Sequence, residues 1–368
     1  MKVAEIAIVL PPRERFRAAD AGAAALTIYA LNRVSRYIDS VVVFGGQKDH
    51  FADVSYEYVP VPFVWLLGRN LAYARSCIQL LREKPIRLIE VHNRVVLALR
   101  IKKALPDRMV TIHFHNDSWG MGGSRTVKER QHLLQTLDAA YCVSEYVAKR
   151  LLDGIPPELA AKVHIVHNPI EPTEVNVNSE RNHWIVYSGR FIPEKGVLEL
   201  AKALAILLPK YPSWKTVFLG AWGFGHEAGR SQYEKEVYAA LSTVAEQVDF
   251  RGHVSHATVL ETLRQAKISV APSTGIDAFP RAPLEAMDAG CAVILSTSGG
   301  LPEIAGDAGL LVSRVNVETL TVALESLMQD EQYRLECATK CQKRARENFT
   351  VYKQVARLDS VRNELLRI

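Results

Sequence analysis

Short apolar runs alternate with amphipathic helical stretches along this chain, once over residues 3–170 and again over 183–312. That double alternation restricts the fold more than any other feature. VAEIAIVL (residues 3–10) is an apolar run of the kind found in parallel sheets covered on both faces. It is followed by a helical pattern that puts Leu26, Tyr29, Ala30 and Val34 on one face. The runs SVVVFGG, YEYVPV, IRLIEVHN, VTIHFHND, AAYCVS and KVHIVHNPI continue the first series. HWIVYSGR, KTVFLGAW, VDFRGHV, ISVAP, CAVILS and GLLV form the second. Repeated β-α-β units with short turns imply doubly wound parallel sheets. We therefore expect an α/β fold of two Rossmann-like domains, residues 1–172 and 183–350, facing across a cleft at their strand ends. The polar stretch Glu171–Asn182 reads as the linker. A last helix, 351–368, has no strand after it and is free to pack back on the first domain.

Length fits two domains: 368 residues is long for one core. No apolar run reaches the roughly 20 residues of a membrane span, and the start of the chain lacks a signal-peptide cleavage pattern, so a cytoplasmic protein is expected. The five cysteines are odd in number and contain no CxxC pair, which points to buried reduced thiols rather than a metal site. Net charge is +5. Residues 1–175 carry 23 Lys and Arg against 18 Asp and Glu, and the remainder 22 against 22. So mild an excess argues against a nucleic-acid partner and for an anionic ligand or surface met by the first domain.

Neither GxGxxG nor GxxxxGK[ST] occurs, so a dehydrogenase fingerprint and a P-loop are both excluded. Phosphate must be held by another device. In YSGRFIPEKGV a strand ends at Ser188-Gly189, and Arg190 and Lys195 lie five residues apart across a turn. Both cations can reach one diphosphate there; two solvated surface cations are the plain alternative. In Ser269–Gly290 a strand runs into a loop and then a short helix, with Pro283 in the first turn and Gly290 at the stop. Asp277 and Glu285 bracket that turn at the carboxyl end of a parallel strand, where open α/β sheets bind ligands. Gly220 and the pair Gly299-Gly300 mark further strand ends where backbone can approach a ligand.

These residues resemble the GT-B glycosyltransferases of family 4, which are retaining enzymes using nucleotide-sugar donors. The resemblance covers essentially the whole chain and is strongest over Tyr187–Val312. The family's acid–seven residues–glutamate signature reads Asp277-Ala278-Phe279-Pro280-Arg281-Ala-Pro-Leu-Glu285 here. It implies that Glu285 holds the ribose hydroxyls and Asp277 contacts the donor sugar. Ala278, Phe279, Pro280 and Arg281 lie in the donor loop. Arg190 and Lys195, with Gly189 and Gly220, match the diphosphate site, and Gly299-Gly300 the GG-x-PE loop. In the first domain the resemblance implies a strand-end histidine, His115 before His113, with Asn116 and Asp117 beside it. Asn93 of EVHN and Gly22-Ala23 fall on the same acceptor side. Three departures stand out: Asp277 for the commoner Glu, Pro280 for a frequent Gly, and Gly22-Ala23 for a glycine pair.

The implied chemistry is front-face transfer with retention, the diphosphate leaving group stabilised by Arg190, Lys195 and helix N-termini. No cofactor is expected, and with no DxD pair or His/Cys cluster, no metal. The implied substrates are a UDP- or GDP-hexose and a glycan or lipid-linked acceptor, in surface polysaccharide or lipopolysaccharide assembly. A nucleotide-sugar epimerase, a phosphorylase and a degenerate nucleotide-sugar-binding protein are the alternatives. Trp65, Leu66, Leu67, Tyr73, Arg69 and Arg75, with Lys102, Lys103 and Arg108, resemble a face for peripheral contact with the anionic inner face of the plasma membrane. An ordinary amphipathic helix on the sheet is the other reading.

Overall fold

A computed structural model describes residues 4–62, 68–222 and 231–367. The chain divides into two compact units, residues 1–169 with 351–368, and 170–350. Both are parallel α/β units.

The first unit holds β1 (Ile6–Val9), α1 (Ala23–Val34), β2 (Val41–Gly45), β3 (Tyr56–Tyr58), α2 (Arg69–Arg82), β4 (Leu88–His92) and α3 (Val95–Ala104). It continues through β5 (Met109–Phe114), α4 (Val127–Thr136), β6 (Ala139–Cys142), α5 (Glu145–Leu152) and β7 (Val163–Ile165). All seven strands are parallel, in the order β3-β2-β1-β4-β5-β6-β7. Every residue of β1, β2, β4 and β6 is buried, as continuous apolar strands between helical layers require. The strand order reverses between β1 and β4, so the loops after these strands diverge and leave room at their carboxyl ends.

The last helix, Val351–Arg367, belongs to this unit and packs on α1. Arg362 and Glu90 on β4, each 1% exposed, form a two-pronged ion pair of 2.8 and 2.7 Å. Arg362 also bonds Ser35 Oγ and Asp359, and Asp359 accepts from Ser35 Oγ and Arg36 N–H. This cover changes which face of α1 is buried. The expected stripe of Leu26, Tyr29, Ala30 and Val34 contains one buried residue, Ala30. Ala25, Thr27, Ile28, Leu31 and Asn32 are the other buried positions, because sheet and terminal helix enclose α1 from two sides.

The second unit holds β8 (Asn182–Ser188), α6 (Val197–Leu207), β9 (Lys215–Leu219), α7 (Gln232–Ala240), β10 (Val248–Gly252) and α8 (His256–Gln265). Then come β11 (Ala266–Ala271), α9 (Arg281–Asp288), β12 (Ala292–Ser296), α10 (Leu301–Ala305), β13 (Leu310–Val312), α11 (Val317–Gln329) and α12 (Glu331–Asn348). Its six parallel strands run β10-β9-β8-β11-β12-β13, reversing between β8 and β11. The stretch 171–182 is not a free linker but part of this unit. Thr173 N and Oγ1 bond Asp288, Arg346 holds Thr173 O, and buried Arg181 donates to Gly290 O at 2.6 Å. Most of its polar side chains are exposed; Thr173, Arg181 and the backbone fasten it.

All five cysteines are buried and free. Among the described residues no helix is long and apolar enough to cross a membrane.

Candidate functional site

The reversal between β8 and β11 brings together two loops that are about 80 residues apart in sequence. β8 ends in Ser188, and after Gly189 and Arg190 a tight turn, Pro193–Lys195, precedes α6. β11 ends in Ala271, and its loop runs to α9. The loops are fastened by backbone: Thr274 and Gly275 N–H both donate to Glu194 O, at 3.0 and 2.9 Å. Lys195 Nζ thereby lies 2.6 Å from each oxygen of Asp277. Ser273 Oγ donates to the same carboxylate at 2.5 Å. The pair is part-buried, Lys195 at 22% and Asp277 at 13%.

Arg190, in contrast, is exposed, and its guanidinium makes no hydrogen bond or ion pair among the described residues. The two cations of the turn therefore differ: Lys195 is held by Asp277 and Arg190 is open to a ligand. Tyr187 Oη donates to Arg190 O at 2.7 Å and fixes the backbone from which that side chain springs.

The glycines at the strand ends are there for close packing. A Cβ on Gly299, at φ +62°, would stand 2.0 Å from Asp277 O, and one on Gly220, at φ +130°, 1.9 Å from Gly189 O. Gly300 N–H donates to Asp277 O at 2.7 Å, tying the β12 loop to the β11 loop. Of the loop after Asp277, Phe279 is 2% exposed with its ring against Phe349, so its side chain belongs to the core. Ala278 is buried as well, and Pro280 caps α9.

Glu285 sits one turn into α9, 8% exposed. Its Oε1 accepts from Arg281 Nε at 3.1 Å and His256 Nε2 at 2.8 Å, with Arg281 Nη2 at 3.0 Å. Burial alone would raise this carboxyl; Arg281 and His256 outweigh it and hold it below the usual carboxylate range. Glu285 is thus an anion. Arg281, expected as a donor-binding side chain, is instead 9% exposed and turned onto Glu285.

In the first unit, β4 and β5 pair His92 opposite His113. The His92 and His113 rings stack 4.2 Å apart, and His113 stacks on Tyr141 of β6 at 4.2 Å. His113 is 7% exposed, which makes it a core ring rather than a surface ligand. His115, two residues on and half-buried, is bonded through Nε2 to His92 Nδ1 at 2.8 Å. Asn93, held at φ +52°, accepts the His115 N–H through Oδ1 at 2.8 Å. Asn116 is exposed. Asp117 is occupied by Arg150 (3.1 and 2.7 Å) and caps the turn at Trp119. Gly22 is the N-cap of α1, with ordinary φ, and Ala23 is exposed at its first position. A cavity of about 20 Å³, the size of one water, adjoins His92, His113, Tyr141 and Asn32. There His92 Nε2, His113 Nε2, Tyr141 Oη and Asn32 Oδ1 make no hydrogen bond among the described residues.

Glu90, His92 and His113 bring donor atoms within 4.8 Å of one another. They do not converge on an ion. Both Glu90 oxygens already accept from Arg362. The two imidazole planes, tilted by 27°, run side by side instead of meeting about 2 Å away.

The face expected to meet a membrane is reduced by the structure. Trp65, Leu66 and Leu67 lie outside the described residues. Tyr73 is 1% exposed, its hydroxyl donating to Leu10 O. Lys102 is held by Asp138 and Arg108 O. Sequence reasoning passed over His256 and Ser273. Only Ser255 before an apolar helical run, which caps α8 and puts His256 in its first turn, could have flagged the former.

Two doubly wound parallel-sheet units in one chain, with loops gathered at each switch point, define a GT-B protein. The family model "Glycosyl transferases group 1" matches residues 171–348 and the model "Glycosyltransferase Family 4" residues 30–174. This chain belongs to the group 1, family 4 glycosyltransferases. A lipopolysaccharide core biosynthesis mannosyltransferase of Rhizobium leguminosarum bv. viciae is 27% identical over 186 residues, 50% of this chain and 51% of that one. A lipopolysaccharide 1,2-N-acetylglucosaminetransferase of Salmonella typhimurium is 26% identical over 60% of this chain and 57% of its own. The matches thus span about half the length of these two relatives. Among solved structures, Anabaena HepE in complex with UDP and glucose superposes with a TM-score of 0.77 at 17% identity, covering 98% of this chain and 100% of that one. WaaG, a glycosyltransferase involved in lipopolysaccharide biosynthesis, gives 0.70 at 15% identity, covering 97% and 99%. Both likenesses are of fold.

Proposed function

We propose that this protein transfers a hexose, with retention and without a metal, from a UDP- or GDP-sugar to a glycan or lipid-linked acceptor in surface polysaccharide or lipopolysaccharide assembly. The observation that carries the reading is the Lys195–Asp277 pair beside an unpartnered Arg190 at the β8/β11 switch point. Arg190 and Lys195 supply fixed positive charge where a departing diphosphate becomes more negative. Asp277 accepts hydroxyls of the donor sugar, and Glu285, an anion, accepts from the ribose. As the bond from the anomeric carbon to the phosphate oxygen breaks, the acceptor oxygen bonds that carbon on the same face. Its proton passes to the leaving phosphate. His115 borders the acceptor. The lipopolysaccharide enzymes among the relatives support this class of acceptor.

Thermal-shift and calorimetric titration with UDP, GDP, ADP and their hexose conjugates, with and without EDTA, tests the reading. One nucleotide and its sugar should stabilise the protein equally in both conditions; no stabilisation by any of them would end it. Lys195→Ala should lower kcat about 10²-fold, as loss of one preorganised transition-state donor does elsewhere, while the unfolding midpoint stays near that of the parent. Unchanged turnover would remove Lys195 from the mechanism.

Peripheral attachment to the inner face of the plasma membrane belongs to the same proposal on narrower support. Val96, Arg100 and Lys103 are exposed on α3. Cosedimentation with anionic vesicles at low salt should be lost in R100E/K103E. Equal binding by parent and variant, or none by the parent, would remove this face.

A further inference from the structure

We propose that Trp119 is a fixed aromatic platform on which a pyranose ring of the acceptor stacks through its C–H face. The inference rests on the glycan-acceptor reading above and names the part of that acceptor which the first unit touches.

Trp119 lies in the loop between β5 and α4, residues 115–126, at the carboxyl end of a strand that neighbours the switch point. It follows His115 by four residues, so their Cα atoms are at most about 14 Å apart. The loop is folded on itself. Ser118 and Ser124 are fully buried, and Ser124 Oγ donates to Ser118 O at 2.6 Å. The N–H groups of Gly120 and Met121 donate to Asp117 O and Ser118 O, at 3.3 and 3.1 Å.

The indole is clamped from several directions. Its Nε1–H donates to Arg150 O at 2.7 Å. The Arg150 guanidinium lies over the ring, 3.6 Å from its centroid, and that of Arg130 stands 5.2 Å from it. Asp117 fixes Arg150 in turn and accepts the Trp119 backbone N–H at 3.2 Å. Trp119 is nonetheless 37% exposed, the only exposed large apolar side chain of residues 115–126. A single exposed apolar residue needs no explanation in itself. One whose polar atom is already bonded and whose ring is clamped is a prearranged surface, which binds with little further loss of side-chain freedom.

The rest of the loop selects a sugar over other apolar ligands. It exposes the Asn116 amide, the Arg125 guanidinium and two bare glycines, Gly120 and Gly122. Neither glycine has a positive φ, and a Cβ on either would meet nothing beyond its chain neighbours within 4 Å. Packing therefore does not demand glycine there, and its use keeps the loop bare beside the ring. One flat apolar surface bordered by hydrogen-bonding groups matches a pyranose, which carries C–H bonds on its faces and hydroxyls around its edge. A membrane or a protein partner needs a broader apolar patch than one ring.

The test is saturation-transfer NMR with the methyl pyranosides of glucose, galactose and mannose. The proteins compared are the parent, Trp119→Phe, Trp119→Leu and Trp119→Ala, each checked for its unfolding midpoint and for binding of UDP, GDP and ADP. In the parent, the ring protons on one face of at least one pyranoside should receive saturation. Trp119→Ala and Trp119→Leu should weaken that pyranoside about tenfold, and Trp119→Phe, which keeps a flat ring, by about threefold at most. The leucine variant separates a flat ring from mere apolar volume, and it decides the matter against phenylalanine should the alanine variant unfold. Nucleotide binding should not change in any of them.

No saturation of any pyranoside by the parent, or equal affinity in the parent and Trp119→Leu, would overturn the platform. So would loss of anionic-vesicle binding in Trp119→Leu without a pyranoside signal in the parent, which would assign the ring to a membrane. Failure of the parent to bind any of the three nucleotides, with Trp119-dependent pyranoside binding intact, would count against the transferase reading and leave the platform standing.

Discussion

Glu90→Ala is expected to destabilise the first unit by about 3–5 kcal/mol, the usual cost of stranding one member of a buried ion pair. Glu90 and Arg362 are each 1% exposed, and the guanidinium spans both carboxylate oxygens. Without Glu90, Arg362 keeps Ser35 Oγ and Asp359 at 2.9 and 3.2 Å, but Asp359 is already shared with Ser35 and the Arg36 backbone. The uncompensated charge cannot reach water without lifting the terminal helix from α1. Chemical denaturation would show the loss as a lower midpoint. The double replacement Glu90→Met, Arg362→Met should recover much of it, since apolar groups of similar volume can replace a buried pair at little cost. A loss below about 1 kcal/mol in Glu90→Ala would mean that the pair is solvated in solution. The pair matters to the site because β4 carries Glu90 and then His92 and Asn93, the two residues that hold His115.

That ion pair also marks the limit of what the sequence discloses. Period and punctuation suffice for parallel strands, for Pro283 in the first turn of α9 and for the stop at Gly290, because each depends on neighbours within one element. The pairings that make the site are not local. Lys195 and Asp277 are 82 residues apart, and Glu90 and Arg362 are 272. Nothing in the spacing of GRFIPEKG distinguishes the cation held by a carboxylate from the one left open. The alternation in IHFH does put His113 and His115 on one face of β5. Yet the register that stacks His92 on His113 follows from strand pairing. Composition misled in one place: the polar run 171–182 resembles a linker, but Thr173, Arg181 and the backbone at Val175 fasten it to Asp288, Gly290, Arg346 and Gln342. Hydrophobic pattern misled in another, since α1 is covered on two sides and its outer stripe is not its buried one.

The histidines of the first unit should make its stability fall steeply in mild acid. Burial, followed by the charges of neighbouring groups, holds His92 and His113 well below the ordinary histidine value and pushes His115 down to about 3. The neighbours are His113, His115 and Arg362 for His92, Arg362 for His113, and His113 for His115. In the unfolded chain each titrates near 6.5. The contribution of neutral histidines is therefore complete above pH 6.5 and is lost as pH falls toward the native values, because only the unfolded chain takes up the protons. Each histidine loses about 1.4 kcal/mol per pH unit below 6.5, so three together approach about 4 kcal/mol at pH 5.5 as an upper bound. Urea midpoints measured from pH 7.5 to 5.0 should follow that slope. His113→Phe, which keeps a ring between His92 and Tyr141, should reduce the slope by a third. A flat profile between pH 7.5 and 5.5 would require these imidazoles to take up protons in the folded protein as readily as in the unfolded chain. Where the native pKa of His115 stays far below neutrality, its imidazole is uncharged, with Nε2 bound to His92. Under the transfer proposed above, His115 then acts by hydrogen bonding and volume, and the charge that stabilises a leaving diphosphate is assigned to Arg190 and Lys195.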